Sequence, residues 1–163
     1  MDLLNYYQSD VILDQRGTIE KKMNYTIISN AVNLAARLEG VNKQYRTWVL
    51  ASEDTIKETH ENLLTRQLDR VRVVGINEPV RIHEVLETSA DAPRGLHDKV
   101  QLFNKAHELF EKRKWNDAMI EFSRVIELDT EDMPALLYLD RCRQFLQYPP
   151  DNDWDGVFNF EEK

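Results

Sequence analysis

The chain has 163 residues, 42% hydrophobic and 31% charged, which suits one folded domain with an appendage and excludes a disordered chain. A formal net charge of −8 argues against wrapping DNA or RNA, which needs a clustered cationic surface, yet leaves room for a pocket taking one nucleotide. The one cysteine, Cys142, excludes a disulfide framework and a thiolate metal cluster, and it reads as a small buried helix residue.

No apolar run approaches the ~20 residues that span a bilayer. The start, MDLLNYYQSD, lacks the basic region and apolar core of a signal peptide. The expectation is a cytoplasmic chain without direct membrane contact, any tethering being left to full-length relatives.

Residues 1–22 are weakly patterned, with a short strand candidate at 10–14 and a turn at Arg16-Gly17. Residues 23–28, MNYTII, alternate and are rich in β-formers, which predicts a strand. Ser29 or Asn30 suits the N-cap of a helix over 31–45 that buries Val32, Leu34, Ala35, Leu38 and Val41, with Gly40 a local cost. WVLA at 48–51 predicts a short buried strand. Ser52 then caps a helix over 52–64, with Glu53 and Asp54 where the dipole favours anions. Residues 68–74 alternate, Gly75 and Asn77 turn the chain, and 79–87 follow as the second strand of a hairpin.

Small residues, Pro93 and Gly95 mark 88–98 as a linker. Beyond it, 99–147 contain no glycine and only Pro134. Three stripes at the 3.6 period predict three helices: Val100, Phe103, Ala106 and Phe110; Ala118, Phe122, Val125 and Ile126; Ala135, Leu136, Leu139, Cys142 and Phe145. Tyr148-Pro149-Pro150 stops the third. The tail, 149–163, is acidic, with aromatic residues suited to docking back on the body. The fold class is α+β, β-α-β-α-β-β over 1–87, followed by an all-α segment over 99–148.

Asn33 and Arg37 stand four apart on one helical face near a helix start. An amide beside a guanidinium, with free helix N-terminal amides close by, suits an anionic ligand. The same spacing also fits an Arg37 paired with a surface carboxylate and a solvated Asn33. Asp69, Arg70 and Arg72 read as a solvated strand face of mixed charge. His60, His83, His97 and His107 are scattered without metal-ligand spacing, and neither a Gly-rich phosphate loop nor a Gly-x-Ser-x-Gly elbow is present.

The run MNYTIISNAVNLAARLEGVNKQY at 23–45 resembles the second half of the class III adenylate/guanylate cyclase catalytic domain, which carries a tyrosine-threonine strand, a turn and then Val-Asn-Leu-Ala-x-Arg-Leu-Glu. ASEDT at 51–55, RQLDRVRVVG at 66–75 and EPVRIHEVLE at 78–87 continue the match in order, so that it covers about residues 15–87. PPDNDWDGVF at 149–158 also looks like bacterial multidomain members. The resemblance implies a partial ferredoxin-like nucleotide cyclase fold over 1–87. It implies conversion of ATP to 3′,5′-cyclic AMP and pyrophosphate, with Mg²⁺ or Mn²⁺ as the family's metal. By the same resemblance Asn33 orients the ribose, Arg37 stabilises charge on the α-phosphate, and Thr26 reads the purine, leaning toward ATP over GTP.

The departures define the rest of the expectation. The family's metal-binding aspartates and purine-contacting lysine belong to a half that is not in this chain, and Asp10 and Asp14 stand where no family aspartate is expected. No metal ligand is therefore assigned. Val74 and Ile76 stand where lysines of a Val-Lys-Gly-Lys motif are common, and Ser29 where glycine is usual. Family sites form at a head-to-tail dimer interface, so ATP would bind a composite site with a second copy or a cyclase partner chain supplying the aspartates. The chain alone is expected to be inactive, and the rival reading is a degenerate, non-catalytic interaction or regulatory module. Ala106, Ala118 and Phe122 give 99–148 a likeness to a tetratricopeptide repeat, although Thr130 stands where proline is usual. A plain helical hairpin fits the same spacing.

Overall fold

The computed structural model describes residues 30–59, 62–72 and 78–159. The predicted strand at 23–28 with Thr26, the turn at Ser29 and the hairpin tip with Val74 and Ile76 lie outside the described residues. Helix α1 (Asn30–Tyr45) runs where the periodicity places it. Leu38, Val41, Asn42 and Tyr45 recur at helical spacing and are buried. Arg46, at φ 51°, ends the helix in the left-handed conformation usual after a last turn.

Strand β1 (Leu50–Ser52) leads directly into α2 (Glu53–Glu58), whose N-cap Ser52 accepts from the Thr55 amide. The expected helix over 52–64 is thus cut to six residues. The Thr59 amide and hydroxyl both donate to the Ile56 carbonyl, at 3.0 and 2.7 Å, and close the last turn. Leu63 and Leu64 instead begin β2 (Leu63–Arg72), opposite Thr88 and Glu87 of β3 (Val80–Thr88). Pairing with β3 overrides the local helical pattern there.

The sheet has the order β1-β3-β2-β4. The first three strands are antiparallel, and the tail adds β4 (Phe158–Asn159) parallel to β2. Between Gln67 and Asp69 the register shifts, so that Leu68 has no partner on β3. This bulge puts Leu68, Asp69 and Val71 all in the interior.

Three helices follow: α3 (Arg94–Glu111), α4 (Trp115–Leu128) and α5 (Met133–Gln147). α3 takes up the second half of the stretch read as a linker, starting after Pro93, whose carbonyl accepts from the Leu96 and His97 amides. The stripes named from the periodicity face inward except at Leu136, whose place against the core is taken by Leu137, and Tyr138 joins them. Leu38, Val41 and Tyr45 of α1, Leu68 and Ile82 of the sheet, and Phe103, Phe122 and Tyr138 of the helices belong to one hydrophobic cluster. The Phe122 and Tyr138 rings stack at 5.2 Å between centroids, with Phe103 edge-on to both.

The tail docks on the body. Trp154 meets the Phe110 and Phe145 rings edge-on at 5.8 and 5.2 Å. The Arg113 guanidinium donates to the carbonyls of Asp151, Asn152 and Trp154. Gly156, at φ 76°, makes the bend that returns the chain to β2, a conformation that a side chain would strain. Among the described residues no helix is long and apolar enough to cross a membrane.

Candidate functional site

α1 carries both candidate positions, 33 and 37, one turn apart in its first half. The Arg37 side chain is half-buried, and among the described residues no carboxylate lies within ion-pair distance of it. The carboxylate partner that the spacing alone also allowed is therefore not found there. Thr26, the third candidate, lies outside the described residues.

The second half of α1 is anchored at two points. Thr47 donates its hydroxyl to the Asn42 side-chain oxygen, and the Asn42 amide donates to the Trp48 carbonyl at 3.4 Å. At the end of the helix, the Tyr45 hydroxyl donates to the Asp69 carboxylate of β2. Arg141 of α5 completes a buried triangle, 2.6 Å from that carboxylate and 3.2 Å from the Tyr45 oxygen. Burial first, then the neighbouring Asp69 charge, pushes the Tyr45 phenol well above its ordinary range, so it stays a neutral donor. The strand charge expected in solvent is thus not all there. Asp69 is 3% exposed because the bulge rotates it inward.

A second buried network lies along the same face of β2. Arg66 pairs with Glu84 across the strands at 2.6 Å and with Asp132 at the start of α5 at 2.7 Å, its guanidinium lying 4.5 Å over the Phe103 ring. Lys99 of α3 reaches Asp132 at 3.3 Å and Asp129 at 2.8 Å. Asp132 also caps α5 by accepting from the Ala135 amide at 3.0 Å. Burial, the largest influence, raises the Glu84 carboxyl above its ordinary value, against the pull of Arg66. Both networks bind the helices to the sheet that carries α1.

The opposite face of the sheet is polar. It presents Gln67, Arg70, Arg72, Arg81 and His83, with Gln67 opposite His83 and Arg70 opposite Arg81. A cleft of about 320 Å³ opens there, lined by Thr65, Gln67 and His83 of the sheet and by Asn104, His107 and Glu111 of α3. The His83 Nε2 is buried in it without a hydrogen-bond partner among the described residues, while the His107 Nε2 lies 3.0 Å from the Tyr138 hydroxyl. Burial lowers the pKa of both imidazoles, so they are neutral at neutral pH. Among the described residues no group of three or more His, Cys, Asp or Glu is placed to hold a metal ion.

Apart from the Asp132 cap, the partners in these networks are 18 to 96 residues apart, so no local spacing announces them. One signal was present: Arg141 falls three residues after Tyr138, on the buried stripe of α5, where a charge needs a partner.

Similarity to known proteins agrees with the resemblance. A "terminal-differentiation specific" adenylate cyclase of Dictyostelium discoideum is 30% identical over 129 residues, 77% of this chain and 6% of that protein. Adenylate cyclase 1 of Rhizobium meliloti (strain 1021) is 34% identical over 67 residues, 41% of this chain and 10% of its own length. An adenylate cyclase of Anabaena cylindrica is 36% identical over 74 residues, 42% of this chain and 15% of its own length. The chain is thus related to adenylate cyclases, and it spans only 6 to 15% of the length of these curated relatives. A match covering 77% of the chain does not fit within residues 1–98, so the Dictyostelium similarity runs on into the helices. No protein-family model matches the chain, and no solved structure matches it.

Proposed function

We propose that this chain is the C-terminal portion of a class III nucleotide cyclase catalytic unit with a partial ferredoxin-like cyclase fold, and that it acts in cyclic-nucleotide signalling. The observation that carries the proposal is the similarity to three adenylate cyclases. In this reading ATP is converted to 3′,5′-cyclic AMP and pyrophosphate at a composite site. Asn33 orients the ribose, Arg37 stabilises negative charge developing on the α-phosphate, and Thr26 contacts the purine. A second subunit, either another copy or a cyclase partner, supplies the aspartates for the Mg²⁺ or Mn²⁺ of the family. No step is assigned to a metal on this chain. The helices over 99–148, read from the sequence as tetratricopeptide-like, brace α1 through Arg141 and Tyr45.

A second reading is a non-catalytic interaction or regulatory module, favoured by Val74 and Ile76 standing where lysines are common in the family. One experiment separates the two. The chain is mixed with a class III cyclase subunit that keeps its aspartates but has lost its own asparagine and arginine, in ATP and Mn²⁺. Cyclic AMP above the partner-alone level is expected, and Arg37→Ala should lower it by about 10²–10³-fold, as for loss of one transition-state donor. No product above that level sinks the catalytic reading.

A further inference from the structure

The cleft between the sheet and α3 takes no part in the roles given above. Gln67 and His83 are cross-strand partners, so their side chains leave the sheet on one face and at the same level. Across the cleft, Asn104, His107 and Glu111 share one face of α3, at i, i+3 and i+7. The Gln67 amide nitrogen reaches the Glu111 carboxylate at 3.5 Å and so joins the two walls. Glu111 is near enough for its charge to act on the His107 ring, and His107 near enough to act on His83. The carboxylate and both imidazoles therefore surround one space.

What is left over in that space is the capacity to accept hydrogen bonds. Tyr138 has one hydroxyl proton, which it donates to the Leu68 carbonyl at 2.6 Å. Its 3.0 Å contact with His107 therefore has the ring Nε2–H as donor, and the neutral ring keeps a bare lone pair on Nδ1. The His83 Nε2 is buried with no hydrogen-bond partner among the described residues, so nothing there fixes its tautomer. Glu111 has no cation within ion-pair distance among the described residues, and its contact with Gln67 is a long one. Glu108, the other carboxylate of the cleft, is held by Lys112. Arg81, on the same sheet face, donates to the Gln67 side-chain oxygen at 3.2 Å, which turns the Gln67 amide toward Glu111. A buried polar atom without a partner costs free energy, so a ligand that brings donors is favoured.

We propose that this cleft binds a small aliphatic amine, its ammonium held by Glu111 and by the free ring nitrogens of His83 and His107. An ammonium carries three N–H donors and no acceptor, which matches one carboxylate and two imidazole lone pairs. The bond to the carboxylate is charge-assisted and the strongest of the three. The cleft holds about 320 Å³, at the small end of ligand pockets, which suits a short amine. A bound amine would tie α3 to the sheet. Thr26, Asn33 and Arg37 take no part in it, so the site does not rest on the cyclase reading.

The test is a titration of n-butylamine into the full chain, followed by the NMR resonances of the imidazole nitrogens. His97, which does not line the cleft, is the internal control. Saturable shifts at His83 and His107, with none at His97, are expected. Glu111 is exposed, so Glu111→Gln should fold, and it should weaken binding by about tenfold or more through loss of the charge-assisted bond. The alcohol n-butanol has the same length without the charge and should bind more weakly by at least as much. His83→Phe keeps a ring in place, removes both nitrogens and should also weaken binding. The absence of saturable shifts at millimolar amine overturns the proposal. Binding that Glu111→Gln leaves undiminished, or n-butanol binding as well as the amine, overturns it too. Tighter, Glu111-dependent binding of Zn²⁺ at the two imidazoles overturns it in favour of a metal site. The cyclase assay is read separately: amine binding without cyclic AMP formation keeps this site, and the converse removes only this site.

Discussion

Replacing Arg141 by methionine should destabilise the protein by about 3–5 kcal/mol, the usual cost of leaving one member of a buried ion pair without its partner. The site fits that rule closely. Arg141 is 8% exposed and Asp69 3%, with 2.6 Å between the guanidinium and the carboxylate. Methionine keeps most of the aliphatic volume, so the change is in charge and donors rather than in packing. What remains is the Asp69 carboxylate, buried, with the Tyr45 hydroxyl still donating to it. The loss also removes a cation lying 5.0 Å over the Tyr138 ring. In a chain of this size each kcal/mol moves the melting midpoint by about 2–4 °C, so a fall of about 6–20 °C is expected. Urea and thermal unfolding followed by circular dichroism read it. The double variant Asp69→Asn/Arg141→Met removes both charges and should recover much of the loss, with a coupling of about 0.5–3 kcal/mol. A single variant within about 1 kcal/mol of the parent, or strictly additive effects, would refute the claim that this triangle fastens α5 to α1.

Two further predictions follow from buried titrating groups. His83 and His107 have pKa values lowered by burial from 6.5, so the unfolded chain binds more protons than the folded one as pH falls below about 6.5. Stability should therefore drop on acidification from pH 7 toward 5.5, by up to about 1.4 kcal/mol per pH unit for each histidine. His107→Gln should flatten that slope in urea titrations at several pH values, and an unchanged slope contradicts the assignment. Burial pushes the Cys142 thiol up to about 12, so a thiol-reactive probe at pH 8 should label nothing in the native protein and one equivalent in denaturant. Rapid native labelling contradicts the buried placement.

Much of the fold was legible because its signals are local. The stripe through Phe103, Ala106 and Phe110 repeats at 3.6 residues, and such a stripe leaves little choice of structure or of inward face. The Asn33/Arg37 pair is a spacing on α1, and the roles proposed for it rest on the flanking resemblance. The end of α2 was misread because SEDTIKETHENLL is locally a good helix. Leu63 and Leu64 gain more from pairing with Glu87 and Thr88, and those partners are far away in the chain. Asp69 was misread for a related reason. A one-residue bulge reverses which face a side chain takes, and a period of two gives no warning of a bulge.

The sequence by itself determined a mixed α and β chain, the helices and their inward faces, and the candidate pair on α1, because each depends on residues within a few positions of one another. Only the tertiary structure decided that Arg66 and Asp69 are buried charges, that α5 is fastened to α1 through Arg141, and that Arg70 and Arg81 face each other across two strands. Those facts belong to pairs separated by many residues. Their energies exist only once burial has stripped water from the charges, and a linear pattern records neither the distance nor the loss of water.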